Sequence, residues 1–226
     1  MSASKALNAL FTEWQRVCDM PANDFYADGI INESLYASSS SRLLVIAKEP
    51  NARNHDQTGD RSFVTEWDSR KGRYRFALRI GEWAHGILHD FPPFDVFKEE
   101  DKLDSLRKIA FMNVKKSGGV GSANRDDIYQ LVCKHREFIT EEIRIIDPDI
   151  ILLGLSFDKR LATELFGPLD WQPSGYSIDV APLGKARIID FYHPSSRNVG
   201  AAAYSLLQNV IRSMTFRNLL TRPGGN

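Results

Sequence analysis

Four side chains with complementary chemistry stand close to apolar runs of the sequence. A carboxylate, Glu49, follows the first run, and a carboxamide, Asn113, lies near the end of the second. An imidazole, His193, follows the last run, and an aromatic ring, Phe63, ends the polar loop after the first. Brought together, these groups would recognise a polar planar ring and perform acid–base chemistry on it.

The apolar runs predict the elements that must position these groups. They are Leu43–Ala47, Ile109–Val114, Ile150–Gly154 and Ala186–Tyr192. Continuous apolar runs are typical of strands covered on both faces, as in parallel sheets. Helical periodicity at about 74–89 and 125–146, and from near 157 and 200, separates them. The alternation predicts an α/β fold with three α/β/α layers and a mainly parallel central sheet, whose sites form at the carboxyl ends of strands.

The first 40 residues differ in pattern from the rest of the chain. They begin with an amphipathic helical pattern and end at the serine run 38–41. The sequence therefore predicts an N-terminal helical arm over 1–40 and one domain over 41–220.

Charge and cysteine content narrow the classes of function. The 29 Lys and Arg residues balance 29 Asp and Glu residues, which disfavours a charge-driven nucleic-acid binder but permits a local basic groove. Two cysteines are too few for a disulfide framework or a four-cysteine cluster.

Reduced thiols, no signal peptide and no apolar run of ~18 residues predict a cytoplasmic protein without a membrane partner. His85 and His89 are spaced four apart but lack the Glu of a metalloprotease motif, so we expect no metal and no cofactor.

Five motifs, in order from Leu43 to about Ile211, resemble those of the uracil-DNA glycosylase superfamily. They read LLVIAKEPN, DQTGDRSF, IAFMNVKK, PDIILLG and IIDFYHPSSRN. The last is most similar to the single-strand-selective monofunctional branch. The resemblance implies a uracil-DNA glycosylase-like fold and a monofunctional DNA glycosylase of base excision repair. Such an enzyme hydrolyses the N-glycosidic bond of a damaged or modified base flipped out of DNA.

The resemblance also implies roles for the four groups. Glu49 would orient the water or stabilise the cationic sugar, and His193 would hydrogen-bond the departing base. Asn113 would read the edge of the base, and Phe63 would stack on it. The residues alone also permit purely structural roles. Glu49 could cap a helix or pair with Lys48, and Asn113 could cap its own loop. His193 could be a structural histidine at a turn, and Phe63 could belong to the core.

Lys48 and Asn51 complete the expected substrate-binding set. The position of Asn51 carries Gly or Tyr in other branches, where it helps to decide whether a 5-methyl group fits. Ala47 replaces a glycine found in many branches. These departures leave the target base open.

Five further residues are expected to contact DNA, which is single-stranded or carries a modified base; they are Lys115, Lys116, Ser195, Ser196 and Arg197. The two lysines begin a glycine-rich loop that would follow the phosphate backbone. The serines would hold phosphates, and Arg197 would fill the gap left by the flipped base or contact a phosphate. We expect the protein to act as a monomer.

Two other functions are consistent with the sequence. One is a catalytically inactive module of the same fold that binds a base or nucleic acid. The other is a hydrolase of free nucleosides or nucleotides, without salt-dependent affinity for DNA. A serine hydrolase is disfavoured because the sequence has no Gly-x-Ser-x-Gly.

Overall fold

The computed structural model describes residues 2–18, 24–51, 62–119 and 124–220. Its helices are α1 (Ala3–Cys18), α2 (Glu33–Ala37), α3 (Phe63–Asp68), α4 (Arg75–Leu88), α5 (Glu99–Leu106), α6 (Arg125–Ile146), α7 (Lys159–Phe166), α8 (Gly200–Arg212) and α9 (Met214–Asn218). Its strands are β1 (Gly29–Ile30), β2 (Leu43–Ala47), β3 (Ala110–Asn113), β4 (Ile150–Leu153), β5 (Gln172–Pro173), β6 (Asp179–Leu183) and β7 (Ala186–Asp190). No helix in these ranges is long and apolar enough to cross a membrane.

The strands within these ranges form one sheet in the order β1-β3-β2-β4-β7-β6-β5. The four central strands, β3, β2, β4 and β7, pair in parallel, and the outer strands pair antiparallel. The central strands are the four that the apolar runs predict, so the α/β fold with a parallel centre is confirmed. The outer strands β1, β5 and β6 were not predicted.

Helices cover both faces of the sheet because side chains alternate along each strand. Every residue of β2 is buried, with Leu43, Val45 and Ala47 on one face and Leu44 and Ile46 on the other. The first face packs against α3, α4, α5, α8 and α9, and the second against α1, α2, α6 and α7. Each buried aliphatic side chain contributes roughly 1.5–3 kcal/mol to this packing.

The predicted arm at 1–40 shares this core. Strand β1 pairs with β3, and α1 places Leu7, Phe11 and Trp14 in the second cluster. These contacts make the N-terminal segment part of the sheet's packing.

The strand order places a switch point beside β2. The chain leaves β2 for β3 on one side and later returns to β4 on the other. Loops at the carboxyl ends of such strands diverge and open a crevice, which is where α/β folds bind ligands. The loops after β2, β3, β4 and β7 therefore define the place to search for a site.

Candidate functional site

Asn113 is the last residue of β3, and its buried carboxamide lies at this edge of the sheet without a hydrogen-bond partner in the part of the chain that the structure describes. The residue is 1% exposed, and neither its carboxamide oxygen nor its nitrogen has a hydrogen-bond partner among the described residues. Among the described residues, the Asn113 side chain therefore makes no hydrogen bond that would cap its own loop. Leaving one buried polar group unpaired costs about 1–3 kcal/mol. A ligand that presents both a donor and an acceptor would satisfy this carboxamide.

The backbone of Asn113 is held by Asp28, which lies just before β1. The Oδ2 atom of Asp28 accepts the Asn113 N–H at 2.7 Å, and Asp28 is 2% exposed. Asn113 pairs with Ala47 across the parallel ladder and lies on the same face as Phe111. The carboxamide is thus fixed on the face that α3 and α4 cover.

His193 stands at the same edge, three residues after β7. Its Nδ1 atom accepts a hydrogen bond from the Ser195 N–H at 3.2 Å. Burial lowers the pKa of His193 to about 4, and the positive charge of Lys48 contributes. The imidazole is therefore neutral near pH 7, with its proton on Nε2, and Nε2 can donate to a ligand.

A series of aromatic ring contacts extends from β3 to His193. Phe63, the first residue of α3, is 3% exposed and packs edge-on against Phe111 with the ring centroids 5.1 Å apart. Half-buried Phe76 of α4 lies 5.7 Å from Phe111 and 5.8 Å from His193, centroid to centroid. Stacking by Phe63 stays a prediction, although little of its ring is exposed. Phe76 falls within the helical pattern predicted at about 74–89, and no local signal in the sequence marks it as a site residue.

Glu49 is enclosed by the loop after β3. Its Oε2 atom accepts a hydrogen bond from Lys115 Nζ at 2.6 Å, and the side chain of Glu49 is 12% exposed. Backbone bonds from Lys115 N to Lys48 O and from Gly119 N to Pro50 O, each 2.9 Å, hold the two loops together. A Cβ at Gly119 would lie 2.1 Å from Glu49 Oε1. The carboxylate is therefore held by Lys115, and a side chain at position 119 would displace it.

Lys116 is not a DNA contact, and that prediction is wrong. Its side chain is 1% exposed and pairs with Asp28 and, at 2.9 Å, with Glu142 Oε1. The ammonium also lies 5.3 Å and 5.4 Å from the ring centroids of Phe11 and Trp14. Reaching a phosphate would leave two buried carboxylates without their cation. The sequence missed this cluster because its members come from distant segments.

The environment of the buried cluster disfavours the charged form of Glu142. Burial raises the pKa of Glu142 well above its usual range, and the Asp28 carboxylate adds to this effect while Lys116 opposes it. The cluster supports the β3 end because Asp28 bonds both Lys116 and the Asn113 backbone.

The loop after His193 is held from α4. Arg75 Nη2 donates to Ser196 O at 3.4 Å. Ser195 and Arg197 are exposed, and Arg75 is exposed as well. Ser196 is half-buried, and its Oγ has no hydrogen-bond partner among the described residues. Ser195 and Arg197 are thus accessible to a phosphate, with Arg75 as an additional cation, whereas the buried Oγ of Ser196 is not.

Lys48 and Asn51 occupy different environments in the loop after β2. Lys48 is half-buried, and its pKa is lowered by burial and by Arg125, against the opposing effect of Asp158. Its charge also acts on His193. Asn51 is exposed and makes a parallel β-bridge with Gly119. Segment 52–61, which carries most of the second motif, lies outside the described residues.

The rings of His85 and His89 lie next to each other at the end of α4. The two rings lie 4.6 Å apart, and His85 Nδ1 lies 3.1 Å from Ser105 Oγ. In the described ranges, no three His, Cys, Asp or Glu side chains form a group that could hold a metal ion.

Neither a scan against protein-family models nor a search of the curated proteins finds a match to this chain. The described edge of the sheet carries the unpaired carboxamide of Asn113, the neutral imidazole of His193 and the carboxylate of Glu49, which Lys115 holds in place. Aromatic rings lie beside them.

Proposed function

We propose that the chain is a monofunctional DNA glycosylase with a uracil-DNA glycosylase-like fold, acting on a damaged or modified base flipped out of DNA. The observation that carries the proposal is the Asn113 carboxamide, which is buried at the sheet edge with both of its polar atoms unpaired. A nucleobase presents a planar edge with both donors and acceptors, the complement that this group lacks.

His193 would stabilise the leaving base. As the C1′–N bond breaks, its electron pair moves to the base and negative charge develops on an exocyclic carbonyl oxygen of the base. A neutral imidazole donating from Nε2 stabilises this charge, and the Ser195 N–H keeps Nδ1 as the acceptor. One such preorganised donor is worth about 10²–10³ in rate.

Glu49 would act on the sugar side of the bond. Its carboxylate would stabilise the positive charge of the sugar, or accept a proton from the water that attacks C1′. Lys115 fixes the position of the carboxylate through a 2.6 Å bond, and Gly119 allows the close approach of the loop. No lysine needs to form a covalent intermediate in this scheme.

The exposed groups after His193 would hold the strand. Ser195, Arg197 and Arg75 stand on the solvent side of this loop and would contact phosphates. Cys18 and Cys133 are free thiols, as expected of a protein in a reducing compartment, and we extend the proposal to base excision repair in the cytoplasm.

The test is cleavage of labelled oligonucleotides that carry uracil, hypoxanthine, xanthine or bulky modified bases, single- and double-stranded, with alkali to cut abasic sites. Wild type is compared with Asn113→Ala and with Asn8→Ala, which changes an exposed Asn on α1. We expect one base to be released, with a loss of at least about 100-fold in Asn113→Ala and no loss in Asn8→Ala.

Three results would redirect the proposal. Equal cleavage by Asn113→Ala would remove the base-reading role. Tight, salt-dependent binding without an abasic product would indicate the inactive binding module. Release of bases from free nucleosides, without affinity for DNA, would indicate a nucleoside hydrolase.

A further inference from the structure

A pair of aromatic rings lies beside the candidate site and has no role in the scheme above. Phe157, in the loop after β4, packs edge-on against Tyr192, with the centroids 5.2 Å apart and the planes at 88°. Phe157 is 41% exposed, and Tyr192 directly precedes His193. We call Phe157 and Tyr192 the aromatic step.

The backbone holds Phe157 in a strained conformation. Ser156 and Phe157 both have φ of 61°, in the left-handed region that side chains other than glycine rarely adopt. Two such residues in succession are unfavourable, and a bulky aromatic is an outlier there. Burial does not offset this strain, because much of the Phe157 ring remains in solvent. Strain of this kind concentrates where a side chain must be held in place for a ligand.

The loop that carries Phe157 is packed against the turn that carries His193. Gly154 begins this loop, and its N–H donates to Ile46 O at 2.8 Å. A Cβ at Gly154 would lie 3.3 Å from Pro194 Cδ and 3.7 Å from His193 Cα. The aromatic step therefore lies next to the turn that carries His193, where the neighbour of a base bound at His193 would reach it.

We propose that the aromatic step stacks on the unpaired base next to the one bound at Asn113 and His193, so that the preferred substrate is single-stranded. This inference rests on the proposed function for the location of the first base. An aromatic face suits the role because every base has a π-face, and stacking adds affinity without selecting a sequence. A paired neighbour stays stacked in its duplex and gains less from the step.

The test measures binding without cleavage. The probe is a single-stranded oligonucleotide with a tetrahydrofuran abasic analogue and 2-aminopurine as its neighbour, beside the same strand in a duplex. The proteins are wild type, Phe157→Ala, Phe157→Leu and, as a matched control, Tyr176→Ala, which removes a 45% exposed ring from the turn between β5 and β6. Thermal unfolding checks that all four are folded.

We expect wild type to quench 2-aminopurine in the single strand and Phe157→Ala to bind it about 5- to 150-fold more weakly, the range for loss of one base stack. Phe157→Leu should resemble Phe157→Ala, because it keeps apolar area but lacks the ring. Duplex affinity should fall less, and Tyr176→Ala should match wild type. Unchanged binding by Phe157→Ala, no quenching, or equal losses in both strand forms would overturn the inference.

The two proposals fail in different ways. If no base is cleaved but binding still depends on Phe157, the aromatic step stands and the glycosylase proposal falls. If a base is cleaved but binding and cleavage of single strands are indifferent to Phe157→Ala, the aromatic step alone falls.

Discussion

Lys115 and Lys116 are neighbours of the same type, and substituting each by methionine should have different consequences. Methionine keeps most of the apolar length of lysine and removes the charge. The side chain of Lys116 is 1% exposed and pairs with two buried carboxylates, whereas that of Lys115 is 23% exposed and pairs with Glu49. The pair of variants therefore compares a buried cation with a partly exposed one.

The magnitudes follow from burial. Removing one member of a buried ion pair costs about 3–5 kcal/mol, because the remaining charge stays in a low dielectric. A partly exposed pair contributes about 0–1 kcal/mol. We therefore expect Lys116→Met to lower the free energy of unfolding by at least about 2 kcal/mol more than Lys115→Met does. With a typical total of about 5–15 kcal/mol, this is a large fraction of the stability.

Urea unfolding at pH 7 measures this difference, with the slope against urea concentration compared between the proteins. The salt dependence of the proposed DNA binding gives a second measure, in which Lys116→Met should keep the wild-type slope because the buried Lys116 ammonium would touch no phosphate. Equal stability losses in the two variants, or a reduced salt slope in Lys116→Met, would refute the assignment of Lys116 to the core.

Three further predictions concern the site. Asn113→Leu should unfold at the same urea concentration as wild type or a higher one, since it removes buried polar atoms without partners, and a clear loss of stability would mean that the carboxamide is already bonded. The pKa of His193 is about 4 in the folded protein and 6.5 ordinarily, so the unfolded chain binds a proton more readily between these pH values. The stability that the neutral His193 contributes is therefore present above pH 6.5 and lost as pH falls from 6.5 to about 4. Melting curves of wild type and His193→Gln should therefore converge on acidification, and a constant gap would contradict the burial of a neutral ring. Gly119→Ala would put a Cβ 2.1 Å from Glu49 Oε1, so turnover should fall by at least about tenfold with DNA binding retained, and unchanged turnover would exclude Glu49 from the chemistry.

The sequence by itself determined the central architecture. A strand buried on both faces needs apolar residues at every position, so Leu43–Ala47 reveals both its conformation and its burial locally. The alternation of such runs with helical periodicity then predicts the parallel centre. The edge that carries the candidate site follows as well, because loops after parallel strands meet at one edge.

Only the tertiary structure decided which side chains at that edge are free. Lys116 belongs to the core because Asp28 and Glu142, 88 and 26 residues away, converge on it, and nothing local distinguishes it from Lys115. Phe76 reaches His193 through the packing of α4, which its helical spacing does not reveal. Local pattern reports how a segment is buried. Pairing between distant residues depends on where the chain returns, and that is fixed only when the whole core packs.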